Sequence, residues 1–220
     1  MNLSGKEIAV LQELAARYAE IAALPAQHEK RDEWRAFNDG SMHKPMVLID
    51  QLPWNELGVD ESLHNQVQDA YWRAVETELR QTIYKWTHLP VDMVVNSYLA
   101  LPRPIQNTGW GLIPDDDRRM LDPHTTAASR HYNCLINDFD DIERIQMPQV
   151  SLDAAREAEI IETAQRVFAG ILPYRMTGTF LHLGVWDRIS EWMGVENCYI
   201  NLIDRPELMH AIISRLTDGL

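Results

Sequence analysis

The chain has 220 residues, 45% of them hydrophobic, and 33 acidic against 20 basic side chains give a formal net charge of −13. That length supports one large domain or two small ones around a sizeable core. The charge argues against nucleic-acid binders and anionic membrane surfaces, which call for basic protein, and no apolar run approaches the roughly 20 residues of a membrane-spanning helix.

Ser4 and Glu7 have the S-x-x-E spacing of a capping box. Ile8, Leu11, Leu14, Ala15, Tyr18 and Ile21 follow at intervals of three and four, which predicts a helix with one buried face. Pro25 ends or interrupts it. A second short helix is expected over residues 29–37, stopped by the turn signal Asn38-Asp39-Gly40. Pro45, four apolar residues at 46–49 and then Asp50-Gln51 predict a short strand buried on both faces, as in parallel sheets. A long helix capped near Ser62 is expected next, with Leu63, Val67, Tyr71, Val75, Leu79 and Ile83 inward and Pro90 closing it. Residues 92–98 predict a second strand. Strand, helix, strand is the unit that builds a parallel sheet with a right-handed crossover.

Residues 101–136 are irregular, rich in Pro and Gly, and carry Asp115-Asp116-Asp117. A loop of that length inside a domain is usually functional, inserted or disordered. Residues 137–145 read as a short helical turn. Ser151 and Asp153 open a further helix with Ile160, Ile161, Ala164, Val167 and Phe168 inward. A third strand is expected over 173–179 and a helix over 184–193. In the last helix, Asp204 is placed to cap and Pro206 to occupy an early position.

The expected fold is α/β: part of a (β/α)8 TIM-type barrel with an N-terminal helical extension. Residues 1–43 form the extension, and 44–220 form the first part of the barrel with a long inserted loop at about 101–150. A complete barrel takes about 250 residues, so the chain reads as a fragment or a smaller open α/β sheet.

In barrels the working residues lie at the carboxyl ends of strands. That selects Asp50 and His182 as catalytic candidates. Gln51, Trp54, Asn96, Ser97, Tyr98, Thr177 and Trp186 are selected as substrate-binding candidates. Each has a plainer reading as a cap, a satisfied polar group or core packing. His124, His131 and Cys134 match no standard zinc spacing, and the Asp115 run lacks the Gly and Glu of a calcium loop. Cys134 and Cys198 are the two cysteines, too few for a disulfide framework. Nothing at the start reads as a secretory signal, so a cytoplasmic, reduced protein is expected.

Two segments resemble the uroporphyrinogen decarboxylase superfamily. One is Arg35-Ala36-Phe37-Asn38-Asp39 with Lys44-Pro45-Met46-Val47-Leu48-Ile49-Asp50-Gln51. The other is Gly194-Val195-Glu196-Asn197 with Leu202-Ile203-Asp204-Arg205-Pro206-Glu207-Leu208-Met209-His210. That group contains the haem-pathway decarboxylases and the cobamide-dependent methyltransferases. The resemblance implies a (β/α)8 barrel whose later strands are absent from this chain. In the methyltransferases a His-x-Cys pair and a distant Cys in that later half hold zinc, and this sequence has no His-x-Cys pair.

The decarboxylases carry arginines after the first strand, which suit substrate carboxylates; here the run is Ile49-Asp50-Gln51-Leu52-Pro53-Trp54. They also carry an Asp after the second strand, where this chain has Tyr98. The leading expectation is a corrinoid-dependent methyltransferase-type enzyme or a fragment of one. Uroporphyrinogen decarboxylation and a non-catalytic, self-associating half-barrel remain as alternatives. No cofactor is expected to be held wholly within this chain; a corrinoid is the implied cofactor, with zinc assigned to the absent half. The expected partners are a small-molecule or tetrapyrrole ligand, a corrinoid protein and a second copy of the chain, with neither nucleic acid nor membrane.

Overall fold

The computed structural model describes residues 3–41, 44–58, 60–120, 128–180 and 184–220. In chain order the elements are α1 (Gly5–Ala22), α2 (Pro25–Asn38), α3 (Ala70–His88), β1 (Leu99–Pro102), β2 (Ile105–Asn107), β3 (Asp116–Met120), β4 (Ala128–Tyr132), β5 (Val150–Leu152), α4 (Ala154–Phe168), β6 (Tyr174–Thr177), α5 (Val185–Met193), α6 (Val195–Asp204) and α7 (Pro206–Gly219). Short 3-10 turns lie at Glu61–Leu63 and Phe139–Arg144. The protein is mixed α/β. Its strands form separate two-stranded sheets, β1 with β6, β2 with β5 and β3 with β4, so no closed barrel exists among the described residues. No described helix is long and apolar enough to cross a membrane. The chain divides into two compact units: Met1–Arg103 with Ala154–Gly178, and Pro104–Asp153 with Thr179–Leu220.

In the first unit, α1 starts as its sequence predicts. Glu7 N donates to Ser4 Oγ at 3.3 Å and Ser4 N to the Glu7 carboxylate at 2.8 Å. Pro25 opens α2 at a first-turn position, where a missing N–H costs no helical hydrogen bond. The start of α3 differs from expectation. Its cap is Asp69, which accepts from Tyr71 N at 3.0 Å and Trp72 N at 3.2 Å. The cause is Glu76. This buried carboxylate accepts from Gln66 N at 2.9 Å, Val67 N at 2.8 Å and Arg80 Nε at 2.8 Å. It holds the chain ahead of Asp69 out of the helix, because those N–H groups find their partner across the turn. Trp72, Val75 and Leu79 of α3 join Leu11 and Ala15 of α1 and Ala164 and Phe168 of α4 in one core. Ile161, expected inward, is exposed.

Two expected strands are absent. Residues 46–49 form no ladder, and Val47 and Leu48 are 49% and 56% exposed. The segment is tied at one point: Asp92 N donates to Val47 O at 3.1 Å, and the Asp92 carboxylate accepts from Val47 N at 2.8 Å and from Lys30. Residues 93–95 are not a strand either. Met93 and Val95 are buried, and Val95 N donates to Gln27 Oε1 at 2.7 Å. The strand is β1, a few residues later, pairing in parallel with β6 in the register Leu99↔Tyr174 to Pro102↔Thr177.

The second unit has two antiparallel pairs, with Ile105 opposite Leu152 and Asp116 opposite Tyr132. Its core gathers Ile136, Ile145, Ile189, Trp192, Leu208 and Ile212. Gly194 turns the corner between α5 and α6 with φ +77°, and a Cβ there would lie 3.0 Å from Tyr132 O. Asn197 Nδ2 donates to Met193 O at 2.8 Å, closing the end of α5. The Gly-x-Glu-Asn run thus has a structural use. Pro206 opens α7 as expected, but Asp204 ends α6 and does not cap α7. Arg205 occupies the cap position, and its guanidinium donates to Asn137 O and Asp138, each at 2.7 Å.

Candidate functional site

A polar group collects at the carboxyl end of the parallel pair, entirely within the first unit. Pro102 and Thr177 end β1 and β6 side by side, and Arg103 N continues the ladder to Thr177 O at 2.8 Å. Thr177 Oγ1 donates to Leu101 O at 3.3 Å. From α3, Tyr71 Oη donates to Pro102 O at 3.0 Å. Burial pushes the Tyr71 phenol up to about 12, against a smaller opposing effect of Arg156, so it remains protonated near neutral pH. From the first turn of α4, the Glu157 carboxylate meets Arg103 Nη1 at 3.2 Å. That Glu157 oxygen is sealed from solvent, and the contact is an ion pair without hydrogen-bond alignment. Arg156 reaches Asp69 at 3.8 Å and Glu159 at 3.2 Å.

This arrangement has definite capabilities. The hydroxyl protons of Tyr71 and Thr177 are committed to backbone carbonyls, which leaves their oxygens as acceptors. The Arg103 fork keeps N–H donors for an anionic ligand group. Glu157 sets a carboxylate beside that guanidinium.

Of the residues picked from sequence, Thr177 lies in this cluster. Asn96, Ser97 and Tyr98 precede β1, at its amino end and therefore away from Thr177 along the pair. The sequence expectation equated the buried run at 93–95 with the strand; core packing buries it without a ladder. Tyr98 holds the Arg175 guanidinium 4.1 Å from its ring centroid. Asp50 and Gln51 are exposed in the irregular segment after Ile49. Trp54 is half-buried and meets Tyr84 edge-on at 6.0 Å. Trp186 belongs to the second unit, where it lines a groove of about 300 Å³ with Val195, Cys198, Tyr199 and Leu202. His182 lies outside the described residues.

Sequence reasoning missed Tyr71, Arg103 and Glu157. Tyr71 sits in an apolar helical series and reads as core. The available signal for Arg103 was the alternation Leu99-Ala100-Leu101 just before Pro102, a half-buried strand pattern.

Among the described residues no three His, Cys, Asp or Glu side chains come together as metal ligands. His124 lies outside them, His131 is exposed on β4, and Cys134 Sγ donates to Ile136 O at 3.3 Å. Burial pushes both the Cys134 and Cys198 thiols up, so neither is an activated thiolate. The described residues therefore offer zinc no fitting ligand set.

No protein-family model, no curated protein and no solved structure matches this chain.

Proposed function

We propose that this chain is, or belongs to, a uroporphyrinogen decarboxylase-like enzyme of the corrinoid-dependent, methyl-transferring kind. Its small-molecule substrate would sit at the carboxyl end of β1 and β6. The supporting observation is the polar cluster at that end, because parallel strands linked through a helix hold ligands where the strands finish. Arg103 takes an anionic substrate group, the Thr177 and Tyr71 oxygens accept from its donors, and Glu157 carries a proton to or from it. A corrinoid, when bound, would supply the methyl carrier, and Trp186 and Tyr199 are the residues of this chain that would hold its ring. Asp50 and Tyr98, standing where the decarboxylases carry arginine and aspartate, argue against an octa-anionic porphyrinogen as substrate.

The test titrates the full chain with hydroxocobalamin and, separately, with uroporphyrinogen. A shift of the corrin absorption bands without porphyrinogen decarboxylation is the expected result, with the shift weakened in Trp186→Ala. Decarboxylation by the wild-type chain would favour the namesake activity instead, and binding of neither compound would overturn the reading.

A second reading, a self-associating ligand-binding protein, is favoured by one observation. Val195, Tyr199, Leu202 and Ile203 form a stripe along α6, with Tyr199 and Ile203 69% and 83% exposed. An apolar stripe on an outer helix face marks a contact surface. Sedimentation velocity of wild type and Ile203→Glu tests it: the expected dimer dissociates in the variant, and a wild-type monomer at high concentration removes the reading.

A further inference from the structure

The first unit holds a second polar recess, separate from the β1–β6 cluster. It is a cleft of about 320 Å³ between α1, α3 and the turn at Asp60 and Ser62. Its apolar lining comes from Leu14 and Ile83. Two of its charges are committed to the fold. Arg80 donates to Glu76 and to Ser62 O, each at 2.8 Å, and Asp60 accepts from Ser62 N at 2.8 Å.

Glu13 and Arg17 differ. They stand four residues apart on α1, a spacing at which opposite charges join on a helix surface. Both line the cleft, and neither has a hydrogen bond or ion pair with any described residue. Next to them Tyr84 packs on His88 with ring centroids 4.3 Å apart, and both rings also line the cleft. The recess thus combines one uncommitted cation, one uncommitted anion and an aromatic wall, in a volume at the small end of ligand pockets.

We propose that this cleft binds a small zwitterion of the α-amino acid class with an apolar side chain. Its carboxylate lies on Arg17, whose planar fork suits it. Its ammonium lies on Glu13, and its side chain packs against Tyr84. A plain anion would meet Arg17 but also face Glu13, and a plain cation would face the reverse. A ligand carrying both charges satisfies both groups at once.

The experiment is isothermal titration calorimetry on the full chain with L-phenylalanine and L-leucine. Phenylacetate, which lacks the ammonium, and phenethylamine, which lacks the carboxylate, are the controls. At least one amino acid should bind about tenfold or more tighter than either control, since each control forfeits one charge-assisted contact. Arg17→Ala and Glu13→Gln should each weaken that binding about tenfold or more, with Arg17→Lys recovering part of it. Both side chains are exposed, and unchanged far-UV dichroism would show that the variants fold. Binding of neither amino acid, equal binding of phenylacetate, or insensitivity to both substitutions would overturn the proposal.

Discussion

The two units solve the same problem differently. The first unit buries a charged pair, Glu76 with Arg80, at the join between α3 and the segment before it, and closes its core with three long helices. The second unit packs shorter helices around Trp192 and Ile189 and leaves the apolar stripe of α6 on its surface. The first unit places a charged side chain inside its core with donors around it; the second leaves large apolar side chains exposed along one helix. The lesson is that hydrophobic pattern alone does not separate a core from a contact surface, because both need the same helical periodicity.

The largest expected effects test whether the units are separate. Trp72→Ala and Trp192→Ala each remove a fully buried ring and should cost about 3–5 kcal/mol in their own unit. Urea unfolding followed by far-UV dichroism should show each variant moving a different transition. If both shift one shared transition by the same amount, the division fails.

Next comes the buried pair. Glu76→Ala strands the Arg80 guanidinium and the Gln66 and Val67 N–H groups, at a cost of about 3 kcal/mol or more. Hydrogen exchange should report the loss first in residues 62–69. Unchanged protection there would mean that Glu76 does not hold that segment.

Gly194→Ala tests the second unit's own corner. The positive φ and the nearby Tyr132 carbonyl predict about 1 kcal/mol of destabilisation. A neutral effect on the denaturation midpoint would show that the corner can relax.

The smallest effect is pH-dependent and should appear in both units. Lys30 and the Val47 amide hold the Asp92 carboxyl below its ordinary value, and the Phe139 amide and Arg205 do the same for Asp138. A carboxyl whose folded pKa is depressed adds stability above the unfolded value, near 4, and loses it as pH falls through the lower folded value. Denaturation midpoints should therefore be flat above about pH 5 and decline below about pH 4. Asp92→Asn should soften the acid decline in the first unit. An unchanged acid profile in that variant would separate Asp92 from the acid loss.

Much of the helical framework was legible from sequence. Ser4 and Glu7 announced α1, Pro206 announced α7, and the stripes of α1, α3 and α4 named most of their buried faces. These features are local, arising within a few residues of chain. The strands were less legible. The runs at 46–49 and 93–95 look like parallel strands, yet neither has a neighbour to pair with. Leu99 to Pro102 became a strand because Tyr174 to Thr177 lies beside it. In the polar cluster, the position of Thr177 at a strand end was legible because its strand was expected over 173–179. Arg103, Glu157 and Tyr71 were not, since they come together from three elements far apart in sequence.

Sequence alone determined the mixed α/β class, the helix starts at Ser4 and Pro206, and the acidic charge of −13 that argues against nucleic acid. Tertiary structure alone decided which apolar segments became strands, where α3 begins, and which polar side chains meet at the end of β1 and β6. The physical reason is the range of the interactions. Caps and helical stripes are settled by near neighbours, whereas a ladder partner, a buried carboxylate's donors and a polar cluster drawn from several elements exist only once distant segments are brought together.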